Sequence, residues 1–397
     1  MTKKTCRLIS LIIGFSMCAS TIAYATDIPT VSPFPGSAQE TQAAAGPGAA
    51  VSGQADQSTD SKKEAADSTA ASTVSVPQIS SEGAVLMDAD TGALLYSKNS
   101  ETKYYPASIT KLMTALLVAE RTNLSDTVTF SKSATTNLEA GAVTLNMTEG
   151  DKLTVEQSLY GLMLKSANDV ANGLAEHVSG SVSSFAQLMN AKAKELGCTN
   201  TNFVNPNGLN NSNHYTTPHD MALIAKAAFQ NSVVRNVCST VSYQIPATKK
   251  AGARTVTMGH KMINSSDSRY YPGVVGGKTG YTSAAGNTLV TYAEKNGTRL
   301  IVVIMKSKST HYDDTKALLD YGFALKGSGS SVKASASSGW VQSGEQWFYY
   351  REDGTMACNY WVKTNEKWYY LGSDGVMLKD TVTPDGYRLD KSGVWIS

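Results

Sequence analysis

The chain reads as an α/β (α+β) protein followed by a short array of β-hairpins. Three observations predict this. First, the strand-like runs Ala84-Val85-Leu86-Met87 and Ala93-Leu94-Leu95-Tyr96 precede a long helical section, and strand-like runs return between Gly273 and Lys306. Second, Asn296-Gly297 joins two of the later runs, Thr288 to Ala293 and Leu300 to Met305, and that dipeptide favours a tight antiparallel hairpin. Third, Trp340, Trp347, Tyr349, Gly354 and Met356 recur as Trp361, Trp368, Tyr370, Gly375 and Met377, each 21 residues on. A shorter third copy keeps Tyr387, Gly393 and Trp395. An aromatic strand pair, a turn and a glycine at a fixed interval predict stacked hairpins, because one hairpin cannot bury its own aromatics.

With 397 residues the chain has room for two or three domains, and 41% hydrophobic residues supply a sizeable core. The net charge of +2 argues against nucleic-acid binding and against a polybasic membrane role. Cys198, Cys238 and Cys358 show no metal-ligand spacing, so neither a metal centre nor a disulfide framework is expected; a Cys198–Cys238 bridge is left open.

In chain order, residues 1–25 have the form of an export signal. Lys3, Lys4 and Arg7 precede the apolar run Leu8 to Ala19, and Ala23-Tyr24-Ala25 is a small-x-small cleavage site. The apolar run is short for spanning a membrane, and Met17 is bulky for lipid attachment at Cys18. Residues 26–78, rich in Ala, Ser, Thr, Gln and Gly, form a tether that cannot bury enough surface to fold. Order is expected from Ile79, with Asp88 to Gly92 turning between the first two strands. A buried helix follows Pro106. A helix pair spans Leu153 to Val178, broken at Lys165-Ser166-Ala167-Asn168-Asp169, where Asn and Asp beside small residues suit a turn. Further helices are expected at about 182–196, about 218–230, and around Leu318, Leu319 and Phe323. A folded unit at 79–326, a Gly/Ser-rich linker at 327–338 and a repeat region at 339–397 complete the plan.

The stretch Tyr105-Pro106-Ala107-Ser108-Ile109-Thr110-Lys111 carries the chemistry. Three residues apart, Ser108 and Lys111 share a helix face, and a serine in the first turn lies among free N–H groups that favour an oxyanion. A lysine beside it can act as base once burial or a second cation lowers its proton affinity. Ser-x-x-Lys alone is weak; Ser100–Lys103 and Ser330–Lys333 also match. The combination is specific. Ser108-x-x-Lys111 opens an apolar helix, Ser166-x-Asn168 breaks a helix pair, and Lys278-Thr279-Gly280 fronts a strand.

At these residues the chain closely resembles the serine D-alanyl-D-alanine carboxypeptidases, the low-molecular-weight penicillin-binding proteins. Leu95 to Asn99, the 161–177 run, Phe203-Val204-Asn205-Pro206-Asn207-Gly208-Leu209 and His214 to Asp220 add to the likeness, which covers about residues 80–325. The resemblance implies a β-lactamase/transpeptidase-like domain, an antiparallel sheet flanked by helices with the site between sheet and helical part. It implies that Ser108 attacks the bond between two D-alanines of a peptidoglycan stem peptide. Lys111, kept neutral partly by Lys278, takes the serine proton, and Ser166 relays a proton to the leaving amine. Asn168 holds Lys111 and the substrate amide. Lys278, Thr279 and Gly280 receive the terminal carboxylate, and the N–H groups of Ser108 and Tyr281 hold the oxyanion. β-Lactams are expected as inhibitors released slowly from the same serine. No cofactor is implied.

Rival readings are set against this one. A class A β-lactamase needs a glutamate after the second motif, and none occurs between Glu195 and Glu294. A Ser-His-Asp hydrolase could draw on His214, His219 and Asp220, but a Gly-x-Ser-x-Gly elbow is lacking; His214 and Asp220 are expected to serve structure near the site. D,D-endopeptidase activity and a non-catalytic wall-binding protein with a decayed enzyme domain stand as alternatives. Where relatives carry a basic residue on the strand after the Lys-Thr-Gly strand, Lys308 is the nearest candidate. Where relatives continue into a β-rich domain and an amphipathic helix, this chain has its aromatic repeats, which resemble choline-binding or cell-wall-binding repeats. Trp340, Trp347, Tyr349, Trp361, Trp368 and Tyr370 are the candidate lining of a cation–π cage. The ligand is choline-bearing teichoic acid or another wall glycan, and the protein is expected to be secreted and wall-associated.

Overall fold

The computed structural model describes residues 74–396, apart from 137, 140, 328–338, 344, 345, 352–355, 373 and 374. The export signal, the tether up to residue 73 and the linker from 328 lie outside these residues. The elements run β1 (Gly83–Asp88), β2 (Leu94–Lys98), a 3₁₀ turn (Ala107–Thr110), α1 (Lys111–Arg121), β3 (Thr127–Thr129), α2 (Lys132–Thr136), β4 (Lys152–Thr154), α3 (Val155–Leu164), α4 (Asn168–Ser179), α5 (Val182–Glu195), α6 (Pro218–Gln230) and α7 (Ser232–Ser239). They continue β5 (Ser242–Ile245), β6 (Arg254–Thr257), a second 3₁₀ turn (Lys261–Ile263), β7 (Val274–Thr282), β8 (Gly286–Lys295), β9 (Thr298–Ser307) and α8 (His311–Gly327). The repeats add β10 (Gly339–Ser343), β11 (Gln346–Tyr350), β12 (Tyr360–Thr364), β13 (Lys367–Leu371), β14 (Arg388–Leu389) and β15 (Trp395–Ile396).

Five strands form one antiparallel sheet in the order β2-β1-β9-β8-β7. Both of its faces are covered, which explains why β1 and β9 read as unbroken apolar runs instead of alternating ones. Val85, Met87, Ile301, Val303 and Met305 point into a core shared with the helices α1 and α3 to α6. Their neighbours Ala84, Leu86, Leu300, Val302 and Ile304 point the other way, onto Leu318, Leu319 and Tyr321 of α8. Each fully buried Leu, Ile, Val or Met contributes about 1.5–3 kcal/mol relative to an exposed one. Asn296 (φ 51°) and Gly297 (φ 78°) both take positive φ, the geometry of a type I′ hairpin turn.

Local signals set the helix boundaries. Thr154 and Gln157 form a reciprocal capping box at α3, Ser181 caps α5, and Thr217 with Pro218 starts α6. One expectation is corrected here. The helix after Pro106 does not include Ser108: residues 107–110 form the 3₁₀ turn, and α1 starts at Lys111. Lys278-Thr279-Gly280 lies on β7, at the edge of the sheet. The short helices α2 and α7 and the hairpin β5–β6 have too few periodic positions to be legible in the sequence. Cys198, Cys238 and Cys358 form no disulfide. No helix among the described residues is long and apolar enough to cross a membrane.

Candidate active site

The centre forms where the 3₁₀ turn, α1, the α3–α4 turn and the edge strand β7 meet. β7 pairs only with β8, and its other edge faces the 3₁₀ turn. Gly280 sits so close that an added Cβ would stand 2.8 Å from the Ser108 nitrogen. From β8, Thr288 Oγ1 donates to the Pro106 carbonyl (2.9 Å) and holds the entry to the turn. Ala107 has φ 50° and Ser166 φ 63°, left-handed conformations that cost non-glycine residues energy and gather at functional sites.

Lys111 is fully buried. Its Nζ lies 2.9 Å from Ser108 Oγ, 2.7 Å from Asn168 Oδ1 and 2.5 Å from the Asn207 carbonyl oxygen. Burial, then the charge of Lys278, lowers its proton affinity well below the usual lysine value; Asp169 opposes them. A neutral amine has two N–H groups and one lone pair. The two N–H groups suit the Asn168 and Asn207 oxygens, which leaves the lone pair for the Ser108 hydroxyl proton. The first motif's lysine thus meets the second motif's asparagine across the helix pair.

Lys278 is also buried, donates to the Thr279 carbonyl at 2.8 Å, and has its pKa lowered to about 8 by burial. Ser166 is half-buried, and its hydroxyl bonds no other described residue. Beside Gly259, Thr279 points its hydroxyl toward the end of the 254–260 segment. Tyr281 presents an exposed side chain. Lys308 stands exposed after β9, two strands from β7, about 10 Å by strand spacing. That corrects its expected place on the strand following the Lys-Thr-Gly strand.

Sequence reasoning missed Asn207 as a partner of Lys111. Its contribution is a backbone carbonyl, which no residue type advertises, although Asn205-Pro206-Asn207-Gly208 is a turn signal. The loop is held against α1: Thr114 Oγ1 donates to the Pro206 carbonyl (2.6 Å), and Asn205 Oδ1 accepts from the Gly208 N–H (2.7 Å). Gly208, at φ 87°, leaves no room for a Cβ beside the Ala107 carbonyl.

The histidines serve this scaffold. His214 Nδ1 accepts from the Val204 N–H (3.1 Å), so Nε2 carries the proton and donates to Thr110 Oγ1 (2.9 Å). Burial and then Lys111 push its pKa down to about 3. His219 Nδ1 lies 2.7 Å from Glu101, and Asp220 accepts from the Asn200 N–H and the Thr201 hydroxyl. Glu101, His219 and Asp220 come within 4.8 Å of one another, but the Asp220 oxygens are used by the 199–201 backbone and Thr201.

In the repeats, Trp340 is paired with Tyr349 and Trp361 with Tyr370 across their hairpins. Each first tryptophan reaches the next repeat. Trp340 packs on Tyr369 and donates its indole N–H to Thr364 (2.8 Å); Trp361 packs on Tyr387 and donates to Asp385 (2.8 Å). Trp340 and Tyr370 are buried, whereas Trp347, Tyr349, Trp361 and Trp368 are half-buried.

Comparison with known proteins agrees with this construction. A family model described as D-alanyl-D-alanine carboxypeptidase matches residues 70–309. Models for a cell wall binding repeat and a choline-binding repeat match 338–356 and 355–395. The chain is 36% identical over 252 residues to the D-alanyl-D-alanine carboxypeptidase DacF of Bacillus subtilis, covering 61% of this chain and 62% of that relative. It is 34% identical to DacB2 of Mycobacterium tuberculosis (66% and 88%) and 36% identical to the D-alanyl-D-alanine carboxypeptidase of Streptomyces sp. strain K15 (65% and 92%). The crystal structure of the Streptomyces K15 DD-transpeptidase superposes with a TM-score of 0.58 at 34% identity, covering 62% of this chain and 98% of that one. The chain therefore belongs to the D-alanyl-D-alanine carboxypeptidase family of serine peptidases, with cell-wall-binding repeats joined to its penicillin-binding fold.

Proposed function

We infer that this protein is a serine-type D-Ala-D-Ala carboxypeptidase that removes the terminal D-alanine from peptidoglycan stem pentapeptides. The observation that carries the reading is the buried Lys111 amine 2.9 Å from Ser108 Oγ, its proton affinity lowered by burial and then by the charge of Lys278. Ser108 Oγ attacks the carbonyl carbon of the fourth stem residue while Lys111 takes its proton. The oxyanion is received by the N–H groups of Ser108 and Tyr281. The proton passes through Ser166 to the departing D-alanine nitrogen, the C–N bond breaks, and an ester on Ser108 remains. Water then attacks the ester with Lys111 again as base, releasing the shortened peptide. Asn168 orients Lys111 and the substrate amide. Lys278, Thr279 and Gly280 bind the terminal carboxylate, which restricts cutting to free C-termini. A β-lactam is opened by the same serine.

The reading assigns catalysis to residues 79–326 and wall attachment to 339–397. Export by residues 1–25 would put the enzyme beside its substrate. The half-buried Trp347, Tyr349, Trp361 and Trp368 face the ligand, with Trp340 and Tyr370 bracing them from the hairpin core. Choline on teichoic acid suits aromatic faces, and a wall glycan stacks on the same surfaces.

A Streptomyces relative described as a DD-transpeptidase favours a second acceptor, an amine in place of water. Mass analysis after incubation with a defined pentapeptide, with and without an added amine acceptor, separates these outcomes. Tetrapeptide plus free D-alanine is expected. Pentapeptide that stays intact, on protein that also fails to take up penicillin, would favour the decayed-enzyme alternative.

A further inference from the structure

We propose that a polar cleft along α4, bordering the catalytic centre at Asn172 and Asn207, holds the free ammonium of the diamino acid at the third stem position, with Glu176 as its anchor. This rests on the carboxypeptidase reading above and adds the substrate's side chain to it.

The cleft measures about 990 Å³, and its lining includes Asn172, Asn207, Ser131, Ser133, Glu139 and Glu176. It abuts the centre: Asn207 donates from Nδ2 to Asn172 Oδ1 (3.0 Å), while the Asn207 carbonyl accepts from Lys111. Asn168, Asn172 and Glu176 lie four residues apart and form one stripe on α4, leading from the Lys111 amine into the cleft. Eight residues of helix advance about 12 Å. In an extended substrate the third Cα lies about 5 Å from the scissile carbonyl carbon, and five single bonds project its side-chain amine roughly 6 Å to the side, so that amine stands about 8 Å from the scissile bond. A helical side chain leans back toward the helix start, so the Glu176 carboxylate stands nearer to the centre than its Cα does.

The charge of the cleft agrees as well. Its described lining residues include two carboxylates and no lysine, arginine or histidine. Glu176 accepts from the Ser131 hydroxyl (2.5 Å) and the Ser133 hydroxyl (2.8 Å), which fix its rotamer without neutralising it. It has no cationic partner among the described residues. A carboxylate held in place at a half-buried site is suited to an incoming ammonium.

The test compares two pentapeptides ending in D-Ala-D-Ala, one with lysine and one with Nε-acetyl-lysine at the third position, on the full-length protein. Release of D-alanine gives kcat and KM. The wild type is expected to favour the free amine about three- to tenfold in kcat/KM, through KM, and to lose part of that preference at high salt. Glu176→Gln should erase it, Glu176→Asp restore part of it, and Glu195→Gln, an exposed acid outside the cleft, leave it intact. Uptake of labelled penicillin, followed in parallel, reports whether each variant has an assembled centre. Preference surviving in Glu176→Gln, or equal release from both peptides by the wild type, overturns the proposal while sparing the carboxypeptidase reading. No release from either peptide removes that reading and this one with it.

Discussion

Gly280→Ala tests how tightly β7 must press against the serine turn. An alanine Cβ would stand 2.8 Å from the Ser108 nitrogen and 3.1 Å from Ala107 Cβ, and would overlap Thr288 Oγ1. Optimal separations for such atoms are about 3.5–4.0 Å, so the strand and the turn must part by roughly 0.7–1 Å. Thr288 also holds the Pro106 carbonyl, so the strain falls on the entry to the serine turn, from Pro106 to the Ser108 nitrogen. Overpacking of this kind costs about 1–3 kcal/mol of stability. The functional cost should be larger, because a displacement of about 1 Å at the reacting groups lowers rates about 100-fold, or about 2.7 kcal/mol in the barrier. The assay is the acylation rate with a fluorescent penicillin at saturating reagent, with melting temperature measured on the same sample. A fall near 100-fold with the fold retained is expected. Thr288→Ala alone, which removes one hydrogen bond and no space, should cost less than tenfold, since such a bond is worth about 0.5–1.5 kcal/mol. An acylation rate within about threefold of wild type in Gly280→Ala would refute the close-contact reasoning.

Other expectations follow from the same geometry. Lys278, with a pKa lowered to about 8, is cationic below that pH, so KM for a substrate with a free C-terminus should rise as pH passes about 8, and Lys278→Met should abolish this limb. His214 and His260 are both held neutral, with pKa values near 3 against 6.5 when unfolded. Their stabilising effect is complete above about pH 6.5 and is lost as pH falls toward 3, at about 1.4 kcal/mol per pH unit for each group. Chemical denaturation between pH 7 and 4 should show that slope, and His214→Gln should remove its share. In the repeats, Trp340→Ala should destabilise the hairpin pair by about 3–5 kcal/mol, since its ring is buried and its N–H is used. Trp368→Ala should keep the fold and lose retention on a choline-bearing resin; retention unchanged by that substitution would exclude the aromatic cage.

Much of the site was legible because its chemistry demands particular side chains at short spacing. Serine and lysine must share a turn, which gives Ser108 and Lys111; an amide must reach the lysine, which gives Asn168 at a helix start. The five-stranded sheet followed from apolar runs and the Asn296-Gly297 turn. What stayed hidden was backbone work. The Asn207 carbonyl on Lys111, the left-handed Ala107 and the closeness of Gly280 to Ser108 are set by tertiary packing, and residue identity hints at them only through glycines. The 3₁₀ geometry of the serine turn is likewise a tertiary effect, because Pro106 and the apolar run that follows suit an α-helix equally well. Glu176 escaped notice because its partner on α4, Asn168, drew all its meaning from the lysine, and the cleft beyond appears only once the 203–211 loop folds over the helices.

The most direct test is where penicillin becomes attached. Peptide mapping by mass spectrometry after labelling should find one adduct, on the peptide containing Ser108, at full occupancy. The Ser108→Ala protein, melting as the wild type does, should carry none. An adduct on another residue, or one that persists in the alanine variant, would contradict the proposal that Lys111 and Lys278 together activate this hydroxyl.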